Sequence, residues 1–296
     1  MPLQGSGSIS LSQIASEFGD SQPHSLSEFY AGGSAGVTSG GAPNVPSSGE
    51  ISFDDFYNAA NQITVTLSSG ATNQNVSSLF GSNFSSAIPK VLVINSGVEI
   101  GATSLSNYAL QVPSGMGGTL NIQNSGTISG AGGDGSSSGA GGNGGTALYI
   151  ASSNVTVTNS GTIRGGGGGG GRGADGVQGG AIIIGRIYCF SGTAGTGGAG
   201  GNGQGYDQSQ SNGSAGTSQG NGSGMLPFCS YVIASGGNST AGGDGGNGGT
   251  YGNGGGSGGS TGAGSGSSGG SAGKYIELSG VSYTLSNSGT LQGNAP

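Results

Sequence analysis

The side chains that could carry acid–base or metal chemistry are few and scattered along the sequence. His24 is the single histidine, and no cysteine or second histidine lies near it to complete a metal site. No nearby serine and aspartate suggest a catalytic triad, so we expect His24 at the surface. The adjacent carboxylates Asp54 and Asp55 open a predicted helix, where they favour the helix dipole rather than glycoside hydrolysis. We therefore expect no enzymatic activity, no metal and no cofactor.

Two further patterns resemble ligand-binding motifs, but each lacks residues that its motif requires. GGNGQGYDQS approaches a calcium-binding nonapeptide but lacks the apolar residue after the aspartate. GGSAGKY lacks the first glycine of a phosphate-binding loop, and Tyr275 replaces its Ser/Thr. We expect the aspartates in glycine-rich sequence to keep an outer face soluble; they are Asp134, Asp175, Asp207 and Asp244.

The composition narrows the choice of partners. The chain has 296 residues, 75 of them glycine, and a formal net charge of −7. So few basic residues argue against nucleic acid or an anionic membrane surface as partner. No apolar run reaches the roughly 18 residues of a membrane span, and the N-terminus lacks the features of a secretion signal. We expect synthesis in a cytoplasm and export by assembly or lysis.

Residues 1–61 contain three similar short blocks, each predicted to form a short helix with a capped start. Ser10 with Gln13 and Ser25 with Glu28 have capping-box spacing, and Ser52 with Asp55 is a weaker version. Each block has an apolar face too small to fold alone. The blocks are expected to dock on a partner chain, on each other or on the next domain.

A β-rich neck is predicted for residues 62–128, where an internal repeat begins. Its copies are YALQVPSGMGGTLNIQNSGTISG (108–130), ALYIASSNVTVTNSGTIRG (147–165) and YIELSGVSYTLSNSGTLQG (275–293). Each has an apolar strand, an alternating strand and an Asn-Ser-Gly turn. Three such units predict stacked rungs that share one small core.

The glycine-rich sequence between the repeats keeps a period of three. The non-glycine positions of the first stretch are Asp134, Ser137, Ala140, Asn143 and Thr146, and later stretches repeat the step. A period of three matches a left-handed polyproline II-like helix. Collagen is disfavoured because the region holds a single proline. A flexible linker would have no reason to keep the register.

Loops that interrupt the glycine runs contain the large side chains of this half. Aromatic side chains on loops held by a rigid scaffold are typical of recognition sites. Cys189 and Cys229 lie in two of these loops, where they either form a disulfide or remain two buried thiols. The neighbouring aliphatic residues are expected to be core plugs.

Glycine runs separated by variable loops, from GAGGDG at 130 to GGSAG at 273, resemble the distal tail-fibre adhesins of T-even-like phages. This resemblance implies a polyglycine II scaffold whose loops at 186–190, 206–210 and 226–231 bind a host surface protein or glycan. It implies a virion protein at the distal tail or fibre, made in the host cytoplasm, with residues 1–61 attached to other tail-fibre proteins. The receptor-binding residues are then expected to be Arg186, Tyr188, Phe190, Tyr206, Phe228 and Tyr231.

The fold expected from these patterns is mainly β and irregular. It has short N-terminal helices, a small solenoid-like β-repeat region and a C-terminal bundle of polyglycine II helices. The expected divisions are 1–61 for attachment, 62–128 for the neck, and 129–296 for the glycine-rich part with its repeats and distal loops. Two alternatives to an adhesin are a structural virion component without a receptor and an ice-binding protein. The mixed residues at the third positions count against the ice-binding protein.

Overall fold

A computed structural model describes residues 3–176, 195–218 and 240–296. The N-terminal blocks form α1 (Leu11–Phe18) and two 3-10 turns, Leu26–Phe29 and Phe53–Phe56. All three begin with a capping box, as their sequence spacing predicts. The rings of Phe18, Phe29 and Phe56 meet with centroids 6.3–6.4 Å apart. Of the three docking possibilities, the blocks therefore pack on each other around one small core.

The rest of the regular structure is parallel β-sheet, formed by short strands that return in register. A single short helix, α2 (Val76–Phe80), and a 3-10 turn, Gly81–Ser85, follow the first three strands. The strands are β1 (Ile63–Leu67), β2 (Ala71–Thr72), β3 (Gln74–Asn75), β4 (Lys90–Ile94), β5 (Glu99–Gly101), β6 (Leu110–Val112), β7 (Leu120–Asn124), β8 (Thr127–Ser129), β9 (Leu148–Ile150), β10 (Val155–Asn159), β11 (Thr162–Arg164), β12 (Ile276–Leu278), β13 (Tyr283–Asn287) and β14 (Thr290–Gln292).

These strands stack into three parallel sheets around a shared apolar core. Sheet A has the order β1-β4-β7-β10-β13, sheet B the order β14-β11-β8-β5-β2, and sheet C the order β12-β9-β6-β3. Each sequence repeat supplies one strand to each sheet, so equivalent side chains lie above one another. Asn124 and Asn159, for example, are register partners, and the amide of Asn124 donates to Oδ1 of Asn159 at 2.7 Å. This stacking is why the Asn-Ser-Gly turns recur.

The predicted fold class is wrong in its C-terminal part. No polyglycine II helix bundle is evident in the described residues there, which form neither helix nor strand between Gly165 and Gly273 apart from one isolated bridge between Thr261 and Gly264. The β-structure is also more than a small repeat region, since the three sheets extend from Ile63 to Gln292. The period of three therefore does not mark a helix here, and the strands are formed by the repeats before and after the glycine runs.

The glycine-rich part instead consists of extended irregular segments joined by backbone hydrogen bonds. Eight such segments lie in the described residues: 130–136, 141–146, 165–176, 195–205, 209–218, 240–250, 253–260 and 265–273. Donors recur at every third residue, as in the bonds from Gly167, Gly170 and Gly173 to segment 195–205. The threefold spacing therefore reflects where neighbouring segments contact one another.

Segment 165–176 occupies the centre of this part. It exchanges backbone hydrogen bonds with six other segments: 130–136, 141–146, 195–205, 240–250, 253–260 and 265–273. Residues 165–171 are consecutive glycines and all are buried. A Cβ atom on Gly169 would lie 1.9 Å from the Asp134 carbonyl oxygen, and one on Gly170 would lie 1.9 Å from that of Gly246. Residues 165–171, surrounded in this way, have no outward position for a side chain, whereas Arg172 and Asp175 further along the segment are partly exposed.

Candidate functional site

The glycine segments continue directly from strands of the β-sheets. The end next to the sheets, at Gly130 and Gly165, is called the base, and the end at Gly176 and Gly195 is called the far end. The amide of Gly130, which follows β8, donates to the Arg164 carbonyl, and that of Gly165, which follows β11, donates to the Gln292 carbonyl. The pairing of segment 165–176 with segment 195–205 then continues to Gly176 and Gly195. Gly176 and Gly195 are therefore at the end of these two segments that is remote from Gly165 and the sheets.

Tyr206 lies at the base and packs on the backbone of sheet B. A Cβ atom on Gly101 would lie 1.9 Å from Cγ of the Tyr206 ring, so the ring occupies the space that a side chain would take. The Tyr206 amide donates to the Gly130 carbonyl at 3.1 Å, and Oδ1 of Asp207 accepts the Gly132 amide at 2.8 Å. The turn containing Tyr206 is thus fastened to the sheet.

A second turn is fastened at the base by Tyr251. The guanidinium carbon of Arg164 lies 3.7 Å from the centroid of the Tyr251 ring. The same guanidinium donates to Glu99 at 2.9 Å and to the Ser129 hydroxyl at 2.8 Å. Burial raises the pKa of the Tyr251 hydroxyl, and the Arg164 charge opposes this rise. Arg164 is therefore shared between the outer face of sheet B and the glycine-rich part.

At the far end, four residues that border the ranges 177–194 and 219–239 lie in one hydrogen-bonded cluster. The Gly176 amide donates to the Gly195 carbonyl at 2.8 Å, and the Gly195 amide donates to the Thr240 carbonyl at 3.1 Å. Thr217 is joined to Thr196 by backbone bonding at 2.8 Å and by their hydroxyls at 2.9 Å. Residues 176, 195, 217 and 240 lie just outside the ranges 177–194 and 219–239. Both of these stretches thus depart from and rejoin one hydrogen-bonded cluster.

These two stretches contain every residue predicted to contact a receptor except Tyr206. Arg186, Tyr188 and Phe190 fall in the first stretch, and Phe228 and Tyr231 fall in the second. They lie outside the described residues, as do Cys189 and Cys229. Tyr206 is described, and it lies at the base against Gly101.

Polar side chains at the outward third positions cap backbone amides of neighbouring segments. Oδ1 of Asn247 accepts the Gly213 amide at 3.1 Å, and Oδ1 of Asp244 accepts the Gly216 amide at 3.0 Å. Oδ1 of Asn202 likewise accepts the Gly135 amide at 3.0 Å. The expectation that the aspartates only keep an outer face soluble missed this role. Its signal in the sequence is the preference for Asn, Asp, Ser and Thr, whose side-chain oxygens accept hydrogen bonds.

The structure also corrects the expectation for His24. Its ring nitrogen Nδ1 lies 2.9 Å from Oδ2 of Asp20, and its side chain is only 14% exposed. It is therefore a partnered, largely buried residue rather than a surface one. The Asp55 carboxylate accepts the Ser52 amide at 2.8 Å, as its place in the capping box predicts. In residues 3–176, 195–218 and 240–296, no group of three or more His, Cys, Asp or Glu residues is arranged to hold a metal ion.

Lys90 is a buried charge that sequence reasoning missed. It is 1% exposed, and its Nζ donates to the carbonyls of Ser86, Ile88 and Gly117 at 2.8–2.9 Å. Burial lowers the pKa of this ammonium group. In the sequence, Lys90 reads only as the start of an apolar run, so no local pattern reveals its partners.

Within the described ranges, no helix is long and apolar enough to cross a membrane.

A family model described as phage tail fibre adhesin Gp38 matches residues 62–296. The chain belongs to the Gp38 phage tail fibre adhesin family. It is thus a phage tail-fibre adhesin, and this Gp38 family is not a known class of enzymes.

The fold of this chain is similar to that of a solved phage tail-fibre structure. The chain is similar to the structure titled "Crystal structure of the gp37-gp38 adhesin tip complex of the bacteriophage S16 long tail fiber". The TM-score is 0.52 at 18% identity, with 99% of this chain and 100% of the other covered. A search of the curated proteins gave no match. At this identity, the likeness of the Gp38-family chain to the solved structure concerns the fold.

Proposed function

We propose that this Gp38-family adhesin binds a host surface receptor, a protein or a glycan, through residues 177–194 and 219–239. The observation that carries the proposal is the cluster of Gly176, Gly195, Thr217 and Thr240 at the far end. Two stretches that leave and rejoin one cluster can form a joint contact surface. They also hold the large side chains predicted for recognition, and aromatic side chains dominate binding energy at many interfaces.

The base of the glycine-rich part supports the same proposal by fixing where those stretches are presented. Tyr206 and Tyr251 fasten two turns to sheet B. The central segment is held by six neighbours. A ligand-binding surface on a fixed support loses less conformational entropy on binding than one on a mobile support. Tyr206 is not part of the proposed contact surface, because it packs on Gly101.

Attachment to the fibre is the second part of the proposal, and we assign it to residues 1–61. These residues have their own apolar core, and the family model begins after them, at residue 62. The similar solved structure is a complex of gp37 and gp38. We propose a comparable association of this chain with another tail-fibre protein. The neck, 62–128, and the glycine-rich part, 129–296, then extend from the attachment site.

Adsorption of phage particles to host cells tests the receptor assignment. Alanine at Arg186, Tyr188, Phe190, Phe228 and Tyr231 should abolish adsorption while the melting temperature stays that of the parent. Leu105→Ala, which removes a 43% exposed side chain from the sheet region, is the matched control and should adsorb normally. Normal adsorption by the fivefold variant would favour a structural fibre component without a receptor.

A further inference from the structure

The negative charge of this chain is concentrated before the sheets. No Lys or Arg precedes Lys90 in the sequence, and six of the twelve acidic residues do. From Lys90 onward, the five basic residues nearly balance the other six acidic ones. Almost all of the formal charge of −7 therefore belongs to the N-terminal region.

Several of these carboxylates have structural roles, and only a few of them face the solvent. Asp20 pairs with His24, and Glu28 and Asp55 accept the amides of the capping boxes. Glu50 and Asp54 are exposed. The hydrogen bond with Ser52 lowers the pKa of Asp54 further below its ordinary value, which favours the charged form.

Between these two carboxylates in the sequence lies Phe53, which is 42% exposed while Phe56 of the same turn is fully buried. Phe53 is the first residue of its turn. Leu11 begins α1 and Leu26 begins the turn Leu26–Phe29, and both of these first residues are half-buried against the N-terminal core. Phe53 is larger than either, yet it is not among the residues packed on that core. Phe is one of the residue types enriched at protein–protein interfaces relative to the rest of the surface, so this exposed ring can serve as a contact.

We propose that Phe53, with Glu50 and Asp54 on either side, forms the docking surface through which the N-terminal region binds a basic fibre protein. This rests on the attachment proposed above and adds the surface and the partner's chemistry. The partner presents an apolar pocket for the Phe53 ring, bordered by Lys or Arg side chains that pair with the two carboxylates. Charge complementarity of this kind sets association rate and specificity.

A second copy of this chain does not fit the same surface. Two N-terminal regions that each lack Lys and Arg would place like charges opposite each other, which opposes association. A nucleic acid is excluded for the same reason, since its phosphates are also negative. The charge pattern thus favours a partner protein with a positively charged face.

Reloading of adhesin-deficient particles with purified full-length protein tests this surface. We expect Phe53→Ala to lower the retained adhesin by roughly tenfold or more, as for a central aromatic contact. Asp54→Lys should lower it further, and about 0.5 M NaCl should weaken loading of the parent. Asp54→Asn, which keeps the oxygen bonded to Ser52, separates loss of charge from loss of structure.

Leu105→Ala and Asp134→Asn, both exposed and outside the N-terminal region, are the matched controls and should load as the parent does. If the parent loads but Phe53→Ala and Asp54→Lys load equally well, this surface is wrong while attachment stands. Stronger loading of Asp54→Lys would show an acidic partner and overturn the inference. If the parent itself does not load, the attachment proposal falls, and this inference falls with it.

Discussion

The Arg164 guanidinium lies 3.7 Å from the centre of the Tyr251 ring, although the two residues are far apart in the sequence. Arg164 ends β11, immediately before the central glycine segment starts, and Tyr251 forms a turn between two later segments. The contact therefore connects the first outward segment of the long insert with one of its last turns. Together with Tyr206 on Gly101, it orients the glycine-rich part relative to the sheets.

Removing the Tyr251 ring should loosen this junction. Tyr251→Ala is expected to lower the free energy of unfolding by about 1–3 kcal/mol, because a cation–π contact and buried apolar area are lost together. Tyr251→Phe keeps the ring over Arg164 and should retain most of the stability. Chemical denaturation of the three proteins measures the difference. Equal losses in both variants would assign the effect to the hydroxyl instead of the ring.

The central segment should not tolerate a single added methyl group. Gly169→Ala places a Cβ atom 1.9 Å from a backbone oxygen, and backbone atoms cannot move aside cheaply. We expect a loss of about 3 kcal/mol or more in unfolding free energy, or no folded protein. Gly139→Ala is the control, since no atom lies within 4 Å of its added Cβ, and it should change stability by less than about 1 kcal/mol. Similar melting temperatures for both variants would contradict the central position of segment 165–176.

The stacked strands could be predicted from the sequence repeats, but the arrangement of the glycine segments could not. Each repeat contains its own alternating strand and Asn-Ser-Gly turn, so local pattern and tertiary contact agree there. In the glycine runs, the outward period could be read from residues such as Asn143 and Asn247. The neighbours of each segment could not, because glycine carries no side chain to specify a partner.

Tyr206 and Lys90 show a second reason why the site was only partly predictable. Tyr206 is aromatic and lies between glycine runs, which resembles a recognition residue, yet its ring fills a space left by Gly101 in a distant strand. The partners of Lys90 are carbonyl groups of two loops, and any residue type supplies a carbonyl. Because every residue supplies the same backbone atoms, the sequence does not identify which backbone group such a side chain contacts.

Asn247 should matter for stability, contrary to what its exposed third position suggests. Asn247→Ala leaves the Gly213 amide without its acceptor, and a loss of about 1 kcal/mol is expected. Asn247→Asp keeps an oxygen at the same place, as Asp244 does for Gly216, and should preserve stability at neutral pH. Thermal unfolding of the pair provides the measurement. A neutral alanine variant would show that water replaces the side chain as acceptor.

Lys90 gives a test in which pH dependence separates charge burial from packing. Lys90→Met leaves three carbonyl groups without a donor and should cost about 2–4 kcal/mol at neutral pH. The folded-state pKa of Lys90 is lowered by burial, so between that value and the ordinary 10.5 the unfolded chain binds more protons than the folded one. The parent should therefore gain stability as pH rises through this window. Tyrosines titrate in both proteins, so their effect cancels when the unfolding free energies of parent and Lys90→Met are subtracted at each pH. That difference should grow as pH rises toward the ordinary lysine pKa, and a constant difference would show that the ammonium group is not disfavoured in the folded state.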